Sequence, residues 1–327
     1  MRVYLGMAAA VLLGVVGTLR AEPLNLEHIA ADAKWVMHVD ADAIRDSAIA
    51  EKAHGHIQQN HPEAGKHLAK IREVWNFDPC NDLHGFTVYG AKIKPNTGVA
   101  ILHAKVDQEL LLRKARSAPE HRETTYGQYQ LHTWKHKGHG QSVEMTGAFY
   151  RPNIIVFSNS IDDVKAALDV LDGTSSNLVG KDSPLTGEIS QGTMFLSRVI
   201  GLADAENLPP HPMLKQIDSM SIAMGEYKEE VFFVGYAAMK ETAFAEQMKS
   251  VIEGARAMAA IANDGDAEAM EIINALKINV DENMVEAEWR SPVDKFWDFA
   301  KKMEERQRQH MSQFAPPFPH NFGEGGY

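Results

Sequence analysis

Short apolar runs alternate with amphipathic segments along the chain, in an order that predicts a mixed α+β fold. In the first half, strands are predicted at 35–39, 86–92, 98–105, 129–136, 143–150 and 154–158. Helices are predicted over 40–60, 63–75, 107–117 and 162–171. Pro62 separates the first two helices, because proline is unfavourable inside a helix but tolerated at its start. The first half therefore consists of one strand with its helices, followed by two modules of consecutive strands that each end in a helix, with two strands in the first and three in the second.

The second half repeats this order of elements. Strands are predicted at 193–199, 219–226, 231–239, 277–281 and 284–290, and helices over 240–262, 267–276 and 292–310. In both halves, the second strand of the first module ends just before an acidic residue that begins a helix, at Asp107 and at Glu241. We therefore predict an internal duplication: two related halves, each a mainly antiparallel sheet with helices packed on one face. The alternative is that two unrelated α+β segments have the same order of elements by chance.

Composition divides the chain into five segments. A signal peptide is predicted over 1–21, a first α+β half over 22–175, a linker rich in Ser, Gly and Asp over 176–191, and a second α+β half over 192–312. The remaining tail, 313–327, is rich in Pro, Gly and aromatic residues and is predicted to be disordered. A short docking peptide is the alternative for the tail, since Phe314, Phe318 and Phe322 alternate with prolines there.

The N-terminus predicts export by a Sec-type signal. Arg2 supplies the positive charge, an apolar run follows over 3–16, and Ala21 provides a small residue at the expected cleavage point. The mature protein is thus expected in the periplasm or outside the cell. The alternative is an uncleaved anchor, although a spanning helix needs about 20 apolar residues. No membrane span is expected after removal of the signal.

Charge and cysteine content limit the possible partners. The chain has 33 Lys and Arg residues against 44 Asp and Glu residues, a net charge of −11. Loss of Arg2 and Arg20 with the signal peptide makes this more negative, so a nucleic acid would be repelled. The single cysteine, Cys80, excludes an intramolecular disulfide and is predicted to be a small, partly buried residue.

One segment has the outline of a catalytic motif. Asp40 and Asp42 follow a predicted strand, as the acidic pair does in haloacid-dehalogenase-type phosphatases that use Mg²⁺. However, Ile44 stands where that family has a hydroxyl residue, and Asn159 stands where it has a distal acid. Asp40 and Asp42 are better explained as acids at a helix N-terminus. Since nucleophile-elbow, zincin and P-loop motifs are also missing from the sequence, we predict no catalytic residue and no cofactor.

Histidines offer a candidate metal site. His132, His136 and His139 surround a predicted hairpin tip, and the even spacing of the first two places them on one face of a strand. Three imidazoles could bind Zn²⁺ or Cu²⁺. A looser group lies on the first helices and comprises His54, His56, His61 and His67, of which His54 and His61 share a face. Solvated surface histidines are the alternative in both places.

Four segments resemble a group of secreted proteins of uncharacterised function from planctomycete-type bacteria. The segments are 35–40 (WVMHVD), 77–79 (FDP) with Asp82-Leu83, 164–173 (VKAALDVLDG) and Gly225-Glu226. The resemblance implies export and an α+β build, and it implies no catalytic residue. The resulting hypothesis is an exported, non-catalytic binding or interaction module of the cell envelope, with an unidentified envelope protein or ligand as its partner. The alternative is a metal-binding protein or metal-dependent enzyme that uses the histidine-rich hairpin.

Overall fold

A computed structural model describes residues 23–94, 97–138, 141–205 and 212–314. The predicted signal peptide and residues 315–327 of the predicted tail lie outside this range. The strands are β1 Trp35–Asp40, β2 Leu83–Gly90, β3 Val99–Ala104, β4 Arg122–Tyr126, β5 Tyr129–Gly138, β6 Gln141–Arg151, β7 Ile154–Ser158, β8 Thr193–Ile200, β9 Ile217–Tyr227, β10 Glu230–Met239, β11 Lys277–Asp281 and β12 Met284–Pro292.

The α-helices are α1 Ala41–Arg45, α2 Ala48–Asn60, α3 Pro62–Trp75, α4 Gln108–Arg116, α5 Ile161–Leu171, α6 Thr242–Ala262, α7 Ala267–Asn274 and α8 Val293–Phe314. Pro62 occupies the first turn of α3, as predicted. Asp107 is the N-cap of α4, where its carboxylate accepts a hydrogen bond from the Leu110 amide at 2.9 Å. No helix in the described part of the chain is long and apolar enough to cross a membrane.

The strands form one antiparallel sheet of twelve strands, in the order β11-β12-β10-β9-β8-β1-β2-β3-β7-β6-β5-β4. The predicted α+β class with a mainly antiparallel sheet is confirmed. The sheet does not divide between the halves, because β1 is hydrogen-bonded to β2 on one side and to β8 on the other.

The strand order is alike on the two sides of the β1–β8 pair. From the centre outwards, β1-β2-β3-β7 on one side matches β8-β9-β10-β12 on the other. The helix that follows the last strand of each series packs on a different face of the sheet: α5 lies against one face and α8 against the other. The duplication therefore stays a prediction.

Helices cover both faces of the sheet, whereas the sequence predicted them on one. We call the first the α5 face: Val36, Ile101 and Val156 are fully buried there against Val164 and Leu168 of α5. We call the second the α4 face. Because side chains alternate along a strand, Leu102 and Phe157 point to the α4 face from the same strands.

A second core lies on the α4 face at the other end of the sheet. Met239 and Ile217 are buried there with Val285 of β12, beneath Ala245 of α6. Methionines contribute several of the surrounding contacts, as expected for a side chain that fills irregular spaces.

The segment predicted as a linker is packed against the sheet. Leu178 and Leu185 are fully buried in the main core. The guanidinium of Arg198, itself only 4% exposed, donates to the carbonyl oxygens of Leu185 (2.9 Å), Gly187 (2.7 Å) and Glu188 (2.7 Å). This buried cation ties the linker to β8.

Three local features differ from the sequence prediction. Strand β4 was not predicted, since its residues (RETTY) are polar and nearly all exposed. Helix α8 continues to Phe314, beyond the predicted end near residue 310 and into the segment predicted as a tail. Cys80 is exposed, so the prediction that it is partly buried is wrong; it lies in the turn that precedes β2.

Candidate ligand cavity and histidine cluster

A cavity of about 550 Å³ lies between α4 and the α4 face of the sheet. Its floor is formed by apolar side chains of adjacent strands, among them Leu102 of β3, Phe149 of β6 and Phe157 of β7. Its roof is formed by Leu111, Leu112 and Ala115 of α4. The volume is within the range of about 300–1,000 Å³ that is usual for small-molecule sites.

The roof helix is amphipathic because of its sequence. Leucine and alanine occupy the positions that turn towards the sheet, and the last turn carries Arg113, Lys114 and Arg116. Cations are favourable at a helix C-terminus, where the backbone carbonyls give partial negative charge. Helix α4 thus presents an apolar side to the cavity and a basic end to solvent.

The mouth of the cavity lies beside the end of α3. Trp75, the last residue of α3, lines the cavity and is 40% exposed. The Lys114 ammonium lies 5.0 Å from the centre of the Trp75 ring, a cation–π contact. Among the described residues, Lys114 has no carboxylate partner, so its charge is available to an anion at the mouth.

His132 links the cavity to a cluster of polar residues. It lies on β5 directly opposite Glu123 of β4, and the residue is 5% exposed. Its Nδ1 lies 3.1 Å from Nε2 of His121 and 3.7 Å from Oε1 of Glu123. Burial lowers the pKa of the His132 imidazole, opposed by the charge of Glu123. We call His121, Glu123 and His132 the β4–β5 cluster.

Only part of the predicted hairpin site falls within the described structure. His132 is placed, whereas the side chain of His136 and the whole of His139 lie outside the described residues. The metal site predicted from these three residues stays a prediction. The two other members of the β4–β5 cluster, His121 and Glu123, were missed because β4 itself was missed. The Gly127–Gln128 turn, flanked by Tyr126 and Tyr129, was the available signal for that hairpin.

Two of the four histidines of the first helices form a second cluster, and they are not the two that were predicted to share a face. His56 and His61, rather than His54 and His61, meet at Glu304 of α8, with N–O distances of 2.9 and 3.3 Å. Helix α2 ends at Asn60, so His61 leaves the helical path and the predicted seven-residue spacing does not apply. Glu304 also pairs with Arg308 at 3.0 Å.

The two aspartates with the phosphatase-like spacing have structural partners. Asp40 is the N-cap of α1 and accepts from the Ala43 amide at 2.8 Å. Both carboxylate oxygens of Asp42 lie 3.1 Å from Nδ1 of His84, and Asp42 also pairs with Arg45. Their positions agree with the interpretation as acids at a helix N-terminus.

These features describe an α+β protein with one wide antiparallel sheet and a ligand-sized apolar cavity. No protein-family model matches the chain, and no curated protein matches it. Among solved structures, two crystal forms of TP0453 are similar to this chain. Form III has 11% identity and a TM-score of 0.44 over 85% of this chain and 98% of that chain; form I has 9% identity and a TM-score of 0.41 over 85% and 96%.

Proposed function

We propose that this protein is a non-catalytic binding protein whose cavity takes up the hydrocarbon chain of a fatty acid. The observation that carries the proposal is the apolar cavity of about 550 Å³ under α4. Its walls are leucine, phenylalanine, isoleucine and tryptophan side chains, with His132 and Lys114 as polar groups. Transfer of a methylene group from water to such walls contributes about 0.8 kcal/mol.

The charge at the mouth selects an anionic head group. The protein is acidic as a whole, at −11, yet three cations cluster on the last turn of α4. Arg116 is paired with Glu123 at 2.7 Å, whereas Lys114 stands over Trp75 at the cavity. A carboxylate head beside Lys114 would keep solvent contact while its chain enters the cavity.

The place of action belongs to the same proposal. The positive, apolar and small-residue segments at 1–21 and the resemblance to secreted proteins support export to the cell envelope. A carrier or buffer for fatty acids there needs a cavity and no catalytic group.

The test is a titration of the mature protein with dodecanoate below its micelle concentration. Trp75 and Trp134 line the cavity, so intrinsic tryptophan fluorescence reports occupancy. We expect saturable binding of one molecule. Ala115→Phe places a ring in the cavity and should abolish the signal. Ala257→Phe, at an exposed position of α6, is the matched control and should bind normally.

A second variant tests the head group. Lys114→Gln should weaken dodecanoate binding roughly fivefold, about 1 kcal/mol, and leave dodecanol binding unchanged. Equal binding of dodecanoate by the wild-type and Ala115→Phe proteins, or no binding by either, would overturn the proposal. An equal effect of Lys114→Gln on acid and alcohol would overturn the assignment of the head group.

A further inference from the structure

The geometry points to a Zn²⁺ site formed by His121, Glu123 and His132 at the base of the β4–β5 hairpin. The site uses His132, as the predicted hairpin-tip site does, but it does not use His136 or His139. His132 also lines the cavity, but His121 and Glu123 do not, so variants at these two positions test the metal site independently of the cavity.

The backbone brings the three ligands together. Glu123 and His132 are direct partners in the β4–β5 ladder, which places their side chains on one face of the sheet. His121 lies two residues before Glu123, just ahead of β4, and its ring meets that of His132 edge to edge, with the ring centroids 5.4 Å apart. All three ligand atoms lie within 4.8 Å of one another.

The distances suit a single ion. Zinc bonds of about 2.0–2.2 Å in a tetrahedron place neighbouring ligand atoms roughly 3.3–3.5 Å apart. The Nδ1–Nε2 distance of His132 and His121 is 3.1 Å, and the distance from His132 Nδ1 to Glu123 Oε1 is 3.7 Å. The His121 and His132 rings now face each other in line, so both must turn for their nitrogens to point at one ion, with water as the fourth ligand.

The chemistry of the donors selects the ion. Two imidazole nitrogens and one carboxylate oxygen favour Zn²⁺ over Mg²⁺ or Ca²⁺, which prefer oxygen ligands alone. Binding requires that His132 carry its proton on Nε2 and His121 on Nδ1, so that the facing nitrogens are both free to coordinate. The metal would replace the present hydrogen bond between the two rings.

Arg116 is the main competitor within the cluster. Its Nε lies 2.7 Å from Oε1 of Glu123, so metal and guanidinium share one carboxylate. A carboxylate can serve both, since ligating carboxylates are commonly hydrogen-bonded by a neighbouring group. We therefore expect Arg116 to orient Glu123 rather than to exclude the ion.

The experiment is a calorimetric titration of the untagged, chelator-treated mature protein with Zn²⁺, repeated with Co²⁺ to observe the visible absorption of a tetrahedral site. We expect one ion per chain. His121→Gln and Glu123→Gln should each weaken binding by about 100-fold or more, because even the loss of an indirect partner costs about 10–100-fold. Both positions are at least partly exposed, so these variants should fold, as circular dichroism will check.

Two double variants distinguish the other histidine sets. His56→Gln with His61→Gln removes the cluster at Glu304 and should leave the affinity unchanged. His136→Gln with His139→Gln removes the hairpin-tip residues and should also leave it unchanged. The proposal is overturned if the wild-type protein binds no Zn²⁺, if His121→Gln binds as the wild type does, or if either double variant loses binding.

Discussion

The carboxylate of Glu226, on β9, accepts a hydrogen bond from the amide of Ile49, in the first turn of α2, at 2.9 Å across 177 residues of sequence. Its other oxygen accepts from the Ala48 amide at 3.0 Å. A helix N-terminus from the first half of the chain is thus capped by a side chain from the second half, in addition to its own N-cap Ser47. The Gly225-Glu226 segment thus has a structural role.

Replacement of Glu226 should therefore destabilise the whole fold. We expect Glu226→Ala to lower the free energy of unfolding by about 1–2 kcal/mol, since two helix amides lose their acceptor. Urea denaturation followed by circular dichroism measures the change. Glu246→Ala, at an exposed position on α6, is the control and should stay within about 0.5 kcal/mol. Equal stability of the two variants would contradict a stabilising role for the Glu226 carboxylate at the N-terminus of α2.

The close approach of β8 and β9 requires glycine at position 225. A Cβ on Gly225 would overlap the carbonyl of Gly192 and lie 2.9 Å from the ring of Phe232. Gly225→Ala should therefore cost about 3 kcal/mol or more, because backbone atoms cannot yield cheaply. Gly254→Ala, in the middle of α6 with open space around it, should instead stabilise by about 0.5–1 kcal/mol. Thermal melts should show a lower Tm for Gly225→Ala and a higher Tm for Gly254→Ala, each relative to the wild type.

Acid sensitivity should arise in part from His38. The ring is 7% exposed, its Nδ1 lies 2.9 Å from the Thr87 hydroxyl, and its Nε2 has no partner in the described part of the chain. Burial, with the nearby His103, lowers the pKa of His38 from 6.5 to about 4. Because the folded pKa is the lower one, the stability that depends on a neutral ring is complete above pH 6.5. It is lost as the pH falls towards 4, by about 3 kcal/mol in total.

The measurement is the free energy of unfolding in urea from pH 7.5 to pH 4, for the wild type and for His38→Gln. Glutamine can bond Thr87 but does not titrate, so the variant should lose less stability over this interval. Carboxylates titrate in both proteins and cancel in the comparison. Parallel pH profiles would show that His38 makes no contribution.

The hydrogen bonds from Arg198 to the linker predict that even a substitution that keeps the positive charge destabilises the fold. Lysine keeps the charge but cannot reach three separate carbonyl oxygens, so Arg198→Lys should destabilise by about 2–4 kcal/mol. Limited proteolysis should then cut first within 181–191, where those carbonyls lie. Arg113→Lys on the exposed side of α4 provides the comparison and should change neither stability nor the cleavage pattern.

The sequence was informative where an element buries one regular face. Strand β1, the α4 cap at Asp107 and the neighbouring strands β9 and β10 were all predicted within a few residues. Strand β4 was missed because an edge strand with exposed polar side chains has no apolar alternation. Since His121 and Glu123 depend on β4, the β4–β5 cluster was missed with it.

The cavity could not be predicted from the sequence, for a different reason. Leu102, Phe149 and Phe157 have the pattern of ordinary core residues, and so do the leucines of α4. Whether such surfaces close against each other or leave a void is decided by the distance between helix and sheet. That distance is set by residues far apart in sequence, and no local pattern encodes it.

The central position of β1 determines the order in which the sheet can be completed. This strand comes early in the chain, yet one of its two edges pairs only with β8, which is made much later. Until then, the first half presents a row of unpaired backbone amides and carbonyls along β1, the kind of edge through which chains aggregate. A fragment that ends at residue 175 would keep this edge open indefinitely. The arrival of β8, rather than the completion of the first half, is thus the step that protects the nascent protein from association with its own copies.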